Sequence, residues 1–253
     1  MRALSRSGTT RGLPDGAEAV AGDLNEPGTV KDALDGVRGL FLLPGYGGQH
    51  QVLADAHTAG VQHVVLLSSS SIPGGEDSNA VTRYMLEAEA AVRDSGLTWT
   101  FLRPVGFMSN TLEWAQQLRE GDVVRAPFPR VRVANIDPYD IGRVAARALL
   151  PPGHERKAYA LTGPESLLPE DRVRVLGEVL GRELRFEGLS DAEAREELSA
   201  RMPGAYVDAF FRFHVDGTLD ESQVLPTVQE ITGRAPRTFH QWAEAHADAF
   251  RSS

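Results

Sequence analysis

The residues whose chemistry suits nucleotide binding lie directly after short apolar runs. Arg6 and Ser7 follow the apolar stretch 1–5, and Asp23 follows residues 17–22. An arginine flanked by hydroxyls can hold a ribose 2′-phosphate, because its guanidinium offers two parallel N–H donors. The alternative is a solvated loop arginine. Asp23 could accept a hydrogen bond from an adenine amino group, or cap the helix predicted to follow it.

Alternating strand and helix patterns must position these residues. Apolar runs of strand length cover residues 1–5, 17–24, 37–45, 61–70 and 97–104, and helical patterns cover residues 27–36, 49–60 and 77–96. Consecutively apolar strands separated by amphipathic helices are typical of a parallel sheet covered on both faces. The pattern therefore predicts an α/β fold with a doubly wound parallel sheet. Ligands of such sheets bind beyond the carboxyl ends of the strands.

The second half of the chain is less regular. Helical patterns cover residues 137–150 and 169–181, short strands are predicted within 157–165 and 182–188, and the remainder is mostly helical. No Pro-, Gly- or Ser-rich linker divides the chain. We predict a Rossmann-like nucleotide-binding domain over residues 1–136. A smaller, mostly helical lobe over residues 137–253 is expected to pack on it and to supply the substrate side.

Composition excludes several classes of function. The net charge of −9 argues against sequence-independent nucleic-acid binding by direct phosphate contact, which needs a basic face. No apolar run approaches the ~20 residues that cross a bilayer. The chain has no cysteine, and its seven histidines show no metal-ligand spacing, so we expect no metal. The expected setting is the cytoplasm of a bacterium, with a protein partner or homo-oligomerisation left open.

Several segments together resemble one family. In order, they are "RALSRS", "AGDLNEPGTVKDALDGV", "LFLLPG", "HVVLLSSSS", "EAAVRDSGLTWTFLRPVGFMSN", "LTGPE" and "ITGRAPRTFHQWAEAHADAF". Their order and spacing are similar to those of the NmrA-like group, an atypical branch of the short-chain dehydrogenase/reductases. The resemblance covers nearly the whole chain. It implies a Rossmann-type fold that binds NADP(H) or NAD(H).

The resemblance also implies roles for particular residues. Arg6, with Ser7 beside it, would grip the 2′-phosphate of NADP(H), which favours this cofactor over NAD(H). Asp23 and Leu24 would contact the adenine. The remaining cofactor-lining residues would be Leu43, Pro44 and Gly45, together with Ser68, Ser69, Pro104, Val105, Gly106 and Phe107 near the nicotinamide.

This sequence departs from the family at the glycine-rich turn. The family opens with a strand and a T-G-A-T-G-x-x-G turn, whose N–H groups approach the cofactor pyrophosphate. The present sequence contains no such motif; "GYGG" at 45–48 follows a different strand, and we interpret it as an active-site loop. Without the family's first strand, the strands at 1–5 and 17–22 have no bridge to the strand at 37–43. One hypothesis is that the natural start lies upstream of Met1.

The second departure concerns proton transfer. Reductases of the wider superfamily use Tyr-x-x-x-Lys after a serine, so that lysine eases ionisation of the tyrosine. Tyr84 follows Ser71 at a suitable distance, but Ala88 stands where the lysine would be. Tyr84 is therefore a candidate catalytic residue or a tyrosine that lines a pocket or helix surface. Glu89 matches a carboxylate frequent in the family and is the second catalytic candidate; the alternative is a solvated helix charge.

These features predict an NAD(P)H-dependent oxidoreductase of NmrA-like type. Hydride would pass from the cofactor to a small quinone-like or carbonyl substrate, a reaction in which the cofactor supplies the difficult chemistry. The alternatives are a non-catalytic NAD(P)-sensing regulatory protein, or a truncated chain with impaired cofactor binding.

Overall fold

The chain forms two compact units, each assembled from separate stretches of sequence. The structure is a computed structural model that describes residues 1–10, 12–73, 77–150 and 152–251. The first unit contains Met1–Ser68, Tyr84–Leu102 and Ala145–Ala158; the second contains Ser69–Arg83, Arg103–Val144 and Tyr159–Ser253. The division into domains 1–136 and 137–253 stays a prediction about domain organisation.

The strands form parallel sheets. Their bounds are β1 (Arg2–Ser5), β2 (Glu18–Ala21), β3 (Gly39–Leu42), β4 (His63–Leu67), β5 (Thr98–Pro104), β6 (Val123–Ala126), β7 (Lys157–Leu161) and β8 (Arg185–Gly188). The strand orders are β1-β2, β3-β4-β5-β7 and β6-β8. β1 pairs with β2, β3 with β4, β4 with β5, and β6 with β8, all in parallel. These strands, with the helices between them, confirm the predicted α/β class.

β1 and β2 form a sheet separate from β3. Leu4 pairs with Val20 in the first sheet, whereas β3 begins the four-stranded sheet next to β4. In the described chain no strand bridges the two sheets. Phe41 on β3 stays 38% exposed, although it lies in an apolar strand.

The helices alternate with the strands. Their bounds are α1 (Gln49–Thr58), α2 (Ala80–Asp94), α3 (Ala115–Glu120), α4 (Pro138–Leu149), α5 (Pro169–Leu180), α6 (Asp191–Ser199), α7 (Gly204–His214), α8 (Thr227–Thr232) and α9 (Phe239–Ala245). Short 3₁₀ helices cover Pro27–Thr29, Lys31–Leu34, Met108–Trp114 and Ala247–Phe250.

The helix predicted over residues 27–36 is wrong: this stretch forms two 3₁₀ turns instead. The Thr29 hydroxyl accepts a hydrogen bond from the Asp23 N–H at 2.9 Å and donates to the Glu26 carbonyl at 2.7 Å. Such local side-chain bonds compete with a helical ladder, and Gly28 lowers helix propensity further. Val30 and Leu34 are nevertheless buried, which explains the helix-like apolar spacing.

The core of the first unit surrounds β4. Val64, Val65 and Leu66 are 0% exposed, so both faces of this strand are covered. Leu53 of α1 and Val92 of α2 belong to the same core. Each fully buried aliphatic side chain of this kind contributes roughly 1.5–3 kcal/mol. Consecutive burial along one strand is the arrangement predicted from its unbroken apolar run.

The second unit has its own core, which includes Met108, Trp114, Leu176, Trp242 and Phe250. This core fixes the 3₁₀ helix that follows β5, because both Met108 and Trp114 belong to that helix. Among the helices of the described chain, none is long and apolar enough to span a membrane.

Candidate active site

The loop after β1 presents Arg6 and Ser7 to solvent. The Gly8 N–H closes the loop by donating to the Ser5 carbonyl at 3.3 Å and to Ser5 Oγ at 3.1 Å. The Gly22 N–H donates to the same carbonyl at 3.0 Å, which joins this loop to the end of β2. Arg6 and Ser7 are exposed. Within the described part of the chain, the Arg6 guanidinium makes no hydrogen bond or ion pair.

The turn after β2 holds Asp23 and Leu24. Asp23 Oδ1 accepts a hydrogen bond from the Asn25 N–H at 2.8 Å, so this carboxylate caps a turn rather than a helix. Leu24 is half-buried against the core of the first unit. Asn25 Oδ1 accepts from the Gly47 N–H at 3.2 Å, and this bond anchors the "GYGG" loop to the turn.

The loop after β3 requires glycine at position 45. Gly45 has a backbone φ of +101°, which residues other than glycine rarely adopt. A Cβ at this position would also collide with the Tyr84 hydroxyl. Leu43 is 41% exposed beside it. Half-buried Tyr84 therefore lies against the predicted cofactor loop, rather than on a free helix surface.

Glu89 is fully buried, so its interpretation as a solvated helix charge is wrong. Its carboxylate accepts a hydrogen bond from Ser68 Oγ at 2.6 Å and from Arg93 Nη2 at 2.8 Å. The Glu89 side chain is 0% exposed and the Arg93 side chain 42%. The Arg93 guanidinium lies over Phe101, 4.7 Å from the ring centroid. Glu89 thus fixes Ser68, itself only 4% exposed, at the end of β4.

The segment after β5 is held by backbone hydrogen bonds within the second unit. The Val105 N–H donates to the Leu161 carbonyl at 3.1 Å, and the Ser70 N–H donates to the Pro104 carbonyl at 3.0 Å. The Ile136 N–H donates to the Gly106 carbonyl at 3.1 Å. Pro104 and Val105 are buried, whereas Ser69, Gly106 and Phe107 keep part of their surface exposed.

One carboxyl beside this segment was missed by the sequence analysis. Glu221 Oε1 accepts a hydrogen bond from Ser70 Oγ at 2.6 Å, and the Gly106 N–H also donates to the carboxylate. Burial raises the pKa of Glu221, while these two hydrogen bonds oppose the rise. No local motif marks Glu221, because its partner Ser70 is 151 positions away.

In each of the two units, predicted site residues lie just after the ends of strands. In the first unit, Arg6, Asp23 and Gly45 follow β1, β2 and β3, and Ser68 follows β4. In the second unit, Ser69 accompanies the segment 104–107. The described residues include no group of three or more His, Asp or Glu side chains suited to a metal ion.

The residues of the first unit fit NADP(H). Among the residues that the structure describes, no carboxylate pairs with the exposed Arg6 guanidinium, which suits a ribose phosphate. The Gly45 loop is held against the Tyr84 hydroxyl, and exposed Leu43 beside it offers an apolar surface. The G-x-G-x-x-G pattern that approaches a pyrophosphate is not found in this sequence.

Known proteins resemble this chain along most of its length. The NAD(P)H-binding family matches residues 1–151. The (4-alkanoyl-5-oxo-2,5-dihydrofuran-3-yl)methyl phosphate reductase of Streptomyces griseus is 42% identical over 246 residues, which cover 96% of this chain and 86% of that protein. The NAD(P)H azoreductase of Xenophilus azovorans is 37% identical over 243 residues, covering 93% and 84%.

Solved structures share the fold. The triphenylmethane reductase of Citrobacter sp., complexed with NADP(H), matches with a TM-score of 0.76 at 21% identity, over 97% of this chain and 90% of that chain. The NADPH complex of the quinone oxidoreductase QOR2 from Escherichia coli matches with a TM-score of 0.72 at 22% identity, over 92% and 84%.

Fold and sequence together define a Rossmann-like dinucleotide-binding protein. The chain belongs to the NAD(P)H-binding family, within the NmrA-like group of atypical short-chain dehydrogenase/reductases. The predictions of this family, of the fold class and of an NAD(P)H-dependent oxidoreductase are confirmed.

Proposed function

We propose that this oxidoreductase prefers NADPH to NADH and reduces a small quinone-like or carbonyl substrate. The observation that carries the cofactor preference is the exposed Arg6 guanidinium, which has Ser7 next to it and, within the described ranges, no carboxylate as partner. A bidentate guanidinium–phosphate contact would discriminate NADPH from NADH, which lacks the 2′-phosphate. The names of two relatives support the substrate class, since one reduces an alkanoyl-oxodihydrofuran and the other is an azoreductase.

The strand-end residues would divide the binding of the cofactor among them. Arg6 and Ser7 would hold the 2′-phosphate, and Leu24 with the free side of the Asp23 carboxylate would contact the adenine. The remaining lining residues would be Leu43, Pro44, Gly45, Ser68, Ser69, Pro104, Val105, Gly106 and Phe107. The bound cofactor supplies the hydride.

Tyr84 and Glu89 take different roles in this proposal. The Tyr84 hydroxyl lies against Gly45 and would set the position of the cofactor loop. Glu89 is 0% exposed and both of its oxygens accept hydrogen bonds, so it would orient Ser68 without touching substrate. Glu89 is therefore a positioning residue.

The test is steady-state oxidation of NADPH and of NADH with a panel of quinones and conjugated ketones. We expect turnover with both cofactors and a lower KM for NADPH. Arg6→Gln should remove that preference, whereas Arg130→Gln, at another exposed arginine, should keep it. Tight NADPH binding without turnover of any acceptor would refute the proposed reaction and favour the alternative of a non-catalytic NAD(P)-sensing protein.

A further inference from the structure

Glu221 is a half-buried acid of the second unit that takes no part in the proposed binding of the cofactor. Its main chain is fixed, because the Glu221 carbonyl accepts the Ala134 N–H at 2.7 Å. Its side chain is held by Ser70 Oγ at 2.6 Å and by the Gly106 N–H. The carboxyl therefore contacts Gly106, which is predicted to line the nicotinamide, and Ser70, which follows the predicted lining residue Ser69.

The surroundings of this carboxyl favour its neutral form. Burial is the largest influence and raises the pKa of Glu221, because a charged carboxylate loses hydration there. The hydrogen bonds from Ser70 and Gly106 lower the pKa and only partly offset burial. Among the described residues, no charged side chain adds to these influences. The residue keeps part of its surface exposed, so a proton can be replaced from solvent.

We propose that the Glu221 carboxyl donates the proton that completes reduction of the substrate. Reduction of a carbonyl or quinone needs one hydride and one proton. The hydride carries both electrons from the reduced nicotinamide, which becomes oxidised, and leaves a negative charge on the substrate oxygen. The Glu221 O–H bond breaks as its proton forms the new O–H bond of the product, and the carboxylate then takes a proton from water. This inference rests on the proposed function.

Ser70 is the positioning residue of this donor. Its hydroxyl lies 2.6 Å from Glu221 Oε1 and fixes the rotamer of the carboxyl. The same hydrogen bond stabilises the carboxylate left after proton transfer. Removing the hydroxyl therefore raises the pKa of Glu221, because the charged form loses a donor.

The experiment compares an acceptor that needs a proton with one that needs none. A 1,4-naphthoquinone takes up a hydride and a proton, whereas the cationic dye malachite green takes up a hydride alone. Glu221→Gln should lower kcat for the quinone about 100-fold or more, the usual contribution of a general acid. Reduction of the dye by the same variant should keep the wild-type rate. Glu230→Gln, at an exposed carboxylate of α8, is the matched control and should change neither rate.

A pH profile of kcat for the quinone gives a second readout. The wild-type rate should fall as pH rises through the pKa of Glu221, because the donor loses its proton. This limb should disappear in Glu221→Gln and move to higher pH in Ser70→Ala. A variant with only a structural defect would lose rate evenly across pH and for both acceptors.

The outcomes separate the two proposals. Wild-type protein that reduces no acceptor would refute the proposed function. Wild-type turnover combined with an unchanged quinone rate, or an unchanged pH limb, in Glu221→Gln would refute only the assignment of the proton donor. A parallel loss of quinone and dye reduction would also refute it.

Discussion

Removal of Arg93 should destabilise the protein more than removal of the charge of Glu89, although Arg93 is the more exposed partner. Arg93→Ala removes the guanidinium that lies 2.8 Å from the 0% exposed Glu89 carboxylate. Breaking a buried pair in this way costs ~3–5 kcal/mol. We expect about 3 kcal/mol, at the lower end of that range, because Ser68 still donates to the carboxylate.

Glu89→Gln leaves a different group behind. The amide oxygen can still accept the Ser68 hydrogen bond, and the 42% exposed Arg93 guanidinium can turn to water. The expected loss is therefore about 1 kcal/mol, one ordinary hydrogen bond. Once the buried charge is gone, adding Arg93→Ala should cost only about 0.5–1 kcal/mol from the lost contact with the Phe101 ring.

Urea unfolding of the wild type, both single variants and the double variant measures these differences. The double variant should be about 2 kcal/mol more stable than the sum of the single losses predicts, which is a coupling energy of the size found for contacting residues. Arg83→Ala, at an exposed arginine of the same helix, should stay within about 0.5 kcal/mol of wild type. Additive losses, or a smaller loss for Arg93→Ala than for Glu89→Gln, would refute this reasoning.

Three further perturbations test the cofactor loops and the second unit. Arg6→Ala should weaken NADPH binding about tenfold or more and leave NADH binding unchanged in a fluorescence titration, because one charge-assisted contact is lost; equal losses for both cofactors would contradict this. Gly45→Ala should cost about 1–2 kcal/mol in urea unfolding from its positive φ, with an added clash that Tyr84→Phe partly relieves; no loss would show that the loop rearranges freely. Burial lowers the pKa of His214 to about 4 from its ordinary 6.5, so the unfolded chain takes up a proton between these values while the folded chain does not. Stability should therefore fall by up to about 3 kcal/mol as pH drops through that window, and His214→Phe should flatten this dependence of the urea midpoint on pH.

The sheets were predictable because burial on both faces leaves a direct trace in sequence. β4 is apolar at four of its five positions, a pattern that few other environments select. The same pattern predicted that Arg6 and Asp23 follow strands, and they follow β1 and β2 in the structure. The helix predicted over residues 27–36 was wrong although buried Val30 and Leu34 have helical spacing. The Thr29 hydroxyl bonds to the backbone of Asp23 and Glu26, and these bonds compete with those of an α-helix.

The titratable groups were harder to predict, because their environment comes from residues distant in sequence. Glu89 shares the helical spacing of the buried positions Thr82 and Val92, but a carboxylate alone favours solvent, and its partner Ser68 lies 21 positions earlier. Glu221 lies between Asp220 and Ser222, and polar neighbours of this kind give no sign of a carboxyl held away from solvent.

Glu221 and Asp220 show how tertiary contact, rather than residue type, sets the chemistry of a carboxyl. The Ser222 hydroxyl and N–H lower the pKa of exposed Asp220, while burial raises that of its neighbour. Two adjacent acids of nearly identical side-chain chemistry therefore differ in their capacity to hold a proton. A reductase whose sequence lacks the Tyr-x-x-x-Lys pair can still possess a proton donor if folding shields a carboxyl from solvent beside its substrate. No short sequence motif marks such a donor, because its pKa depends on contacts with residues distant in sequence rather than on its neighbours along the chain.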